Sequence, residues 1–286
     1  MTASRARTLR HGMTYVIFAL WSFIIFFPLY WVVITAFKYP VAVNARTTYL
    51  PWIDFDPTLD AWRYLLFDIR DQVVKPFFNS IIIANAAATI SLFVGGAAGY
   101  GLTRFDYHFK AWRNNDIALW FLSQRVVPPV VVLVPFLIMY RLLGLIDTHV
   151  GLIIAYTVFN LPLSVWITRD FFAGIPRELE ESAMIDGCSQ FGAFARIALP
   201  LVANGLVAAY LVSLIFTWNE YLFALILTGN DAMTMPILIA GQNTSRGIEW
   251  WTLSALVLIE MAPVIVGTII LERFISRGLL AGAIKG

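Results

Sequence analysis

Charged residues are scarce in this sequence. Asp, Glu, Lys and Arg together make up 13% of the 286 residues, whereas hydrophobic residues make up 59%. Soluble globular domains have about 25% charged residues, and the mean hydropathy of this chain is +0.75. The composition excludes an ordinary soluble protein and indicates an integral membrane protein. Hydrophobic runs occupy most of the length, so no room is left for a separate soluble catalytic domain.

Cysteine and clustered histidine are also lacking. The single cysteine, Cys188, excludes an intramolecular disulfide and a cysteine-based metal site. His11, His108 and His149 are scattered at the ends of hydrophobic runs and show no metal-ligand spacing. The net charge of +2 is nearly balanced and gives no argument for nucleic acid. We therefore predict no metal site, no catalytic residue and no nucleic-acid partner.

A phosphate-binding loop is absent as well. Residues 96–103 imitate the spacing of one, but Leu102 stands where the essential lysine would be, and the segment lies inside a hydrophobic run. Gly95 and Gly99, four residues apart, are better explained as a surface that lets a neighbouring helix approach closely. The chain is therefore predicted to bind no nucleotide or other cofactor, so the energy for any transport must come from a partner.

Long hydrophobic runs are what the sequence has in abundance. A helix of about 20 residues crosses a hydrocarbon core of about 30 Å, and six runs reach that length. They cover residues 13–37, 77–103, 117–140, 150–168, 199–227 and 251–271. We therefore predict an all-α membrane protein: one transmembrane domain over residues 1–286, with six transmembrane helices and an extracytoplasmic loop at 38–76.

Lysine and arginine are concentrated on one side of this topology. With six spans both termini share a side, and most of the positive residues fall there, while most of the others lie in one long segment, 38–75. The residues on the richer side are Arg5, Arg7, Arg10, Arg104, Lys110, Arg113, Arg169, Arg177, Arg196, Arg273, Arg277 and Lys285. Positive residues in short loops mark the cytoplasmic side, so both termini and segment 169–200 are predicted to be cytoplasmic.

The polar segment 169–200 reads as a helix, a turn and a helix. Pro176 is suited to the start of the first helix, which we expect to end at about Asp186, with Gly187 in a left-handed stop. A second helix is expected from about Ser189 and to lead into the next span. Its apolar residues recur at helical spacing and predict one apolar face. They are Phe191, Phe194, Ala195 and Ala198.

This segment resembles the EAA loop of ABC importer permeases. The resemblance rests on Glu181-Ser182-Ala183, Gly187 after three residues, and Ile197-x-Leu199-Pro200 after nine more, with serine in place of the central alanine. In that family the loop is a coupling helix that docks onto an ATP-binding subunit. The resemblance implies an ATPase-coupling role for Glu178, Glu181, Ser182, Ala183, Asp186, Gly187, Ile197 and Pro200.

Three further stretches resemble the maltose-type carbohydrate permeases. They are residues 125–129, 218–221 and the tail 278–286. The resemblance implies the type I ABC importer permease fold and the six-span partner of a permease heterodimer in the bacterial inner membrane. It also implies two copies of an ATPase that carries ATP and Mg, an extracytoplasmic binding protein, and a non-catalytic role for this chain in importing a sugar, oligosaccharide or polyol by alternating access.

In such systems two further segments contact partners. The loop before the last span reaches the binding protein, which implicates Gln242, Asn243 and Arg246. The C-terminal tail contacts the ATPase, which implicates Ala281, Gly282, Lys285 and Gly286.

Polar residues within the predicted spans are candidates for a translocation pathway, because a charge in hydrocarbon is costly unless it faces water or a partner. They are Arg125, Asn160, Asn219, Glu220 and Glu260. An ion pair between Arg125 and Glu260 that only locks two helices is an equal alternative. Aromatic neighbours at 218 and 221 suit sugar stacking, although aromatics at a span end are more often interface anchors.

Two other function classes stay open at this point. A six-span secondary transporter of a small polar solute would need internal repeats with matching broken helices, and the two halves of the sequence show no convincing similarity. A membrane scaffold or enzyme without a transport role is also formally open.

Overall fold

The structure is a computed structural model that describes residues 3–45, 48–108, 110, 112–244 and 247–283. Within them the regular secondary structure is helical apart from one antiparallel pair of two-residue strands and an isolated β-bridge between Pro51 and Phe55, so the all-α prediction is confirmed. The elements in chain order are α1 (Ala3–Thr35), α2 (Pro40–Ala45), α3 (Asp60–Arg63), a π-helical turn (Tyr64–Asp68), α4 (Arg70–Arg104), α5 (Asn114–Ser123), α6 (Pro129–Leu143), α7 (His149–Ala173), α8 (Arg177–Ile185), α9 (Gln190–Ala193), a second π-helical turn (Phe194–Ala198), α10 (Leu199–Leu201), α11 (Ala203–Trp218), α12 (Leu222–Leu227), α13 (Met235–Ala240), β1 (Asn243–Thr244), β2 (Gly247–Ile248) and α14 (Trp250–Ala283).

The helices divide into two compact units. The first contains residues 1–73 and 239–262, and the second contains residues 74–238 and 263–286. In the first unit, the apolar side chains of α1 are exposed along most of its described length, as Phe18 and Ile24 illustrate. A helix that is apolar all round and exposed is suited to lipid rather than water.

The segment predicted as an extracytoplasmic loop, 38–76, is partly helical. It contains α2, α3 and a π-helical turn, and α4 begins at Arg70, seven residues before the predicted start of the second span. Lys38, which sequence reasoning counted as an ordinary loop charge, is 1% exposed. Its Nζ donates to the Thr48 carbonyl at 2.7 Å and lies 4.2 Å from the centre of the Trp31 ring. Hydrogen bonding and an aromatic face compensate this buried cation.

The predicted number of six spans is not confirmed. Among the described residues four unbroken helices are long and apolar enough to cross a membrane, and the bent pair Gln190–Leu201 and Ala203–Trp218 makes up to five. The third predicted span is instead two helices, α5 and α6, because Pro128-Pro129 interrupts it: Pro129 is the first residue of α6. The fifth is interrupted at 219–221, between α11 and α12.

Close packing of α4 against α7 organises the second unit. A Cβ on Gly95 would lie 2.5 Å from Ser164 Cβ, and one on Gly99 would overlap Thr168 Oγ1 and approach the backbone nitrogen of Arg169. Thr168 Oγ1 donates to the Gly95 carbonyl at 3.0 Å. The prediction that these glycines form a helix-packing surface is confirmed.

One end of the second unit is held together by Asp147, which follows α6. Its carboxylate accepts backbone N–H groups of four consecutive residues, Gly229 to Ala232, at 2.8 to 3.1 Å. Burial raises the pKa of Asp147, but these donors outweigh it and bring the pKa below the usual 3.8. The Asn79 side chain of α4 donates to the carbonyls of Asp231 and Met233. The loop 228–234 is therefore fixed to the starts of α4 and α7.

Candidate functional site

The segment 177–201 forms the predicted helix, turn and helix at the opposite end of α4. α8 runs from Arg177 to Ile185, within one residue of the predicted bounds, and Pro176 stands immediately before it. Glu178 and Glu180 lie in its first turn, where the helix dipole favours negative charge. Local sequence therefore accounts for where this helix begins.

Gly187 ends α8 in a left-handed conformation, with φ of +92°. The Gly187 N–H donates to the Met184 carbonyl at 3.1 Å, and the Cys188 N–H donates to the Ala183 carbonyl at 2.9 Å. These two bonds form a Schellman motif, in which glycine is the usual left-handed residue. The predicted turn geometry at Gly187 is present, and the half-buried thiol of Cys188 follows it.

The second helix differs from the prediction. Ser189 caps it by accepting the Gly192 N–H at 3.1 Å, but a π-helical turn occupies Phe194–Ala198 and the segment meets α11 at an angle of 75°. Ala198 is fully buried, whereas Phe191 is 76% exposed. A π-helical turn inserts an extra residue and shifts the helical phase, so the predicted residues do not share one buried face.

A buried ion pair fastens α8 to the end of α4. Glu180 Oε1 accepts from Arg104 Nε at 2.6 Å, and Oε2 accepts from the Tyr100 hydroxyl at 2.6 Å. The side chains of Arg104 and Glu180 are 7% and 6% exposed. Arg104 Nη2 also donates to the Ile175 carbonyl. Sequence reasoning missed this pairing, because Glu180 is one of several acids in a polar segment and Arg104 was used only as a topology marker.

Most of the remaining residues of the loop are exposed, and several of them are apolar. Ile185 is 86% exposed and Phe191 76% exposed, and Leu179 and Met184 are also exposed. The acidic residues predicted for coupling, Glu178, Glu181 and Asp186, are exposed in the same segment, as is Ser182, while Ala183 is partly exposed. Exposed apolar side chains that lie beside charged residues are typical of a protein–protein contact. Ile197 is half-buried and Pro200 is exposed in α10.

Four of the five predicted pathway residues lie around one cavity in the second unit. This cavity of about 520 Å³ is lined by Arg125, Asn160, Asn219 and Glu220 together with aromatic side chains. The aromatic residues are Tyr156, Phe159, Phe216 and Tyr221. Glu260, the fifth, is half-buried in the part of α14 that belongs to the first unit.

The polar groups of the cavity are held in different ways. Arg125 Nη1 donates to the Phe159 carbonyl at 3.2 Å, and its guanidinium carbon lies 4.7 Å from the centre of the Phe216 ring. Glu220 accepts the backbone N–H groups of residues 222–224 and so caps α12. Asn160 Nδ2 donates to the Tyr156 carbonyl, while its Oδ1 is buried without a hydrogen-bond partner among the described residues. Asn219 donates to a backbone carbonyl of its own helix.

The predicted partner-contacting segments are described in part. Asn243 pairs with Ile248 in a short antiparallel hairpin, next to Gln242. Arg246 lies outside the described residues. In the tail, α14 continues to Ala283, so Ala281 and Gly282 are helical, whereas Lys285 and Gly286 lie outside the described residues.

Comparison with known proteins gives a consistent result. Residues 107–279 match the model of a family described as binding-protein-dependent transport system inner membrane component. The chain is 30% identical to the trehalose/maltose transport system permease of Thermococcus litoralis, over 93% of this chain and 94% of that protein. It is also 30% identical to the sulfoquinovosyl glycerol transport system permease of Agrobacterium fabrum, over 91% and 89%.

A solved structure shares the fold. A chain of a bacterial ABC transporter involved in the import of the acidic polysaccharide alginate superposes with a TM-score of 0.76 at 18% identity. The alignment covers 96% of this chain and 99% of that one.

Proposed function

The chain belongs to the family of binding-protein-dependent transport system inner membrane components, the permeases of ABC importers, and we propose that it moves a carbohydrate from a binding protein into the cytoplasm. As a multi-pass membrane permease it does so by alternating access between the two sides of the membrane. The named relatives transport trehalose or maltose and sulfoquinovosyl glycerol, and the structural neighbour serves alginate import. These cargoes are all carbohydrates or glycosides, and we infer that the cargo of this chain is a sugar, oligosaccharide or polyol.

The observation that carries this proposal is the exposed face of the loop around Gly187. Its apolar and acidic side chains form the surface that docks onto an ATP-binding subunit, and the Schellman turn sets the angle of α8. Glu178, Glu181, Ser182, Ala183 and Asp186 contact the partner, while Ile197 and Pro200 support the second helix. ATP and Mg bind to two copies of the ATP-binding subunit, which hydrolyse ATP, and this chain is not an enzyme.

The two ends of the second unit support the proposed orientation. Asp147, the start of α4 and the loop 228–234 meet at one end, while Arg104 and the loop 169–200 meet at the other. The six-span topology likewise puts Asp147, the start of α4 and the loop 228–234 on one side of the membrane, and Arg104 and the loop 169–200 on the other. The arginine-rich end and both termini face the cytoplasm of a bacterial inner membrane, and segment 38–76 faces outward. One transmembrane domain over residues 1–286 contains both the loop and the segment.

Further partners complete the importer. A second, different permease forms the heterodimer with this chain in the lipid bilayer. The loop before the last span, with Gln242, Asn243 and Arg246, contacts the extracytoplasmic binding protein. The tail, with Ala281, Gly282, Lys285 and Gly286, contacts the ATP-binding subunits.

The cavity around Arg125 lies on the proposed translocation pathway. Aromatic rings offer flat apolar surfaces to a sugar ring, and the guanidinium of Arg125 and the amides of Asn160 and Asn219 offer hydrogen bonds to hydroxyl groups. Glu220 shapes the cavity by capping α12. Glu260, in the last span, is a separate candidate for the pathway and does not line this cavity.

Purification of the tagged chain from native membranes in a mild detergent tests the proposal. We expect a second permease and an ATP-binding subunit to co-purify, together with vanadate-sensitive ATP hydrolysis. Recovery of this chain alone, without ATPase activity, and solute uptake driven by an ion gradient would instead identify a secondary transporter.

A further inference from the structure

We propose that α4 transmits movement of the loop at Gly187 to the extracytoplasmic loop 228–234, with Glu180 and Asn79 as positioning residues at its two ends. The inference rests on the proposed importer function. α4 has 35 residues, which corresponds to a length of about 52 Å at 1.5 Å per residue. A single helix therefore extends from one end of the second unit to the other.

At the loop end, α4 and α8 are joined by contacts that leave little freedom. Glu180 binds both Tyr100 and Arg104 of α4 at 2.6 Å, and Arg177 of α8 donates to the Thr103 carbonyl at 2.7 Å. The Tyr100 ring packs 4.5 Å from the ring of Phe194, measured between centroids. Both members of the ion pair are buried, so separating them would leave an uncompensated charge in an apolar environment. α8 therefore moves together with the end of α4.

At the other end, α4 holds the loop 228–234 through a second set of buried contacts. Asn79 Nδ2 donates to the carbonyls of Asp231 and Met233 at 2.9 and 2.8 Å. The neighbouring Ser80 Oγ accepts the Met235 N–H at 2.9 Å. Asn79 and Ser80 are 5% and 3% exposed. Asp147, just before α7, holds the same loop, so the position of the loop follows α4 and the start of α7 together.

Between these ends α4 is fitted against α7 at the level of the backbone. Gly95 and Gly99 leave no room for a Cβ, and Thr168 Oγ1 donates to the Gly95 carbonyl. Packed interfaces of this kind shift between discrete arrangements rather than deforming continuously. A displacement of the coupling loop is therefore delivered to the far end of α4 as a rigid shift and is not absorbed along the helix.

The experiment uses the assembled complex in lipid nanodiscs and needs no knowledge of the sugar. A spin label is attached to Asn230→Cys, in a Cys188→Ser background, because Asn230 is exposed in the loop. The readout is the change in the label's spectrum when Mg-ATP and orthovanadate are added, measured beside the rate of ATP hydrolysis. We expect a clear spectral change in the otherwise unaltered chain.

Glu180→Gln keeps the side-chain volume but removes the negative charge that Arg104 binds. We expect this variant to hydrolyse ATP within about twofold of the unaltered complex while its ATP-dependent spectral change falls at least fivefold. Asn79→Ala should give the same loss from the opposite end. Asp170→Asn, which changes an exposed carboxylate at the end of α7, is the matched control and should keep the full change.

The double variant Glu180→Gln, Asn79→Ala completes the test. If both residues act through α4, it should keep no more of the spectral change than the weaker of the two single variants. A larger change in the double variant than in either single variant would overturn the proposal.

Further outcomes test the proposal if Glu180→Gln fails to assemble or if no spectral change is seen. Tyr100→Phe removes one hydrogen bond to Glu180 and should reduce the spectral change at least twofold. A full spectral change in this variant, or in an assembled Glu180→Gln complex, rejects transmission through α4. A complex that hydrolyses ATP but shows no spectral change in the unaltered chain also rejects it. Absence of any ATP-binding subunit contradicts the proposed function itself.

Discussion

Replacement of Gly187 by alanine isolates the contribution of one backbone conformation. The residue has φ of +92°, and a Cβ built there meets no atom within 4 Å. Steric contact with neighbours therefore plays no part, and the whole cost is that of placing an L-residue in left-handed backbone. That cost is about 1–2 kcal/mol per residue.

The expected result is weaker docking of the ATP-binding subunit. In the free chain α8 stays fixed to α4 through Glu180, but the turn that follows α8 can relax when no partner holds it. The docked loop requires the angle set by the Schellman bonds, so the cost appears in the docking equilibrium. Since about 1.4 kcal/mol corresponds to a factor of ten, the affinity should fall about five- to thirty-fold. Membrane insertion and the yield of folded chain should be unchanged.

The assay is a titration of purified ATP-binding subunits against the permease heterodimer in nanodiscs. Gly187→Asn should lose less affinity than Gly187→Ala, because asparagine tolerates left-handed backbone better. Gly96→Ala is the control: Gly96 is inside α4, has no positive φ, and a Cβ there also meets no atom within 4 Å. An affinity of Gly187→Ala within twofold of the unaltered chain would show that docking does not depend on this turn.

Three further changes have defined outcomes. Gly99→Val should lower the free energy of unfolding by roughly 3 kcal/mol and reduce the yield of folded chain in detergent. Gly96→Val on the same helix is the control and should be tolerated, and equal yields of the two variants would refute the packing argument. Asp147→Asn should destabilise the loop 228–234 by about 1–3 kcal/mol, seen as faster proteolysis there. Because the pKa of Asp147 is lowered, the stabilisation is complete at neutral pH and should disappear only as the pH falls below 3.8; loss at pH 6 would contradict it. Burial lowers the pKa of Lys38, although Asp54 opposes the shift, so the free energy of unfolding should rise as the pH is raised towards 10.5. Lys38→Met should abolish that rise and should keep or increase the melting temperature at pH 7. A lower melting temperature in this variant would show that the charge stabilises the fold.

The features that the sequence predicted well have short-range causes. Pro176, the acidic first turn and Gly187 define α8 because caps and left-handed turns depend on a few neighbouring residues. Gly95 and Gly99 indicated a close helix contact because their spacing matches a helical face. Hydropathy placed the apolar segments because burial in lipid depends on local composition.

The features that were missed depend on pairs of residues far apart in the chain. Glu180 and Arg104 are separated by 76 positions, and no local pattern distinguishes Glu180 from the other acids of α8. The ammonium group of Lys38 lies over the rings of Trp31 and Phe55, one before it and one after it in the sequence. Composition alone cannot reveal such a contact. A hydropathy window reads across Pro128-Pro129, although the two prolines themselves mark an interruption of the helix.

Cys188 gives the loop a practical property. It is the only cysteine in the sequence, it is partly exposed, and it directly follows the turn at Gly187. A maleimide dye therefore attaches to this chain at a single position, beside the face that we assign to docking. The fluorescence of one dye attached to Cys188 can therefore follow assembly in real time, through quenching or a spectral shift, without any engineered cysteine in this subunit.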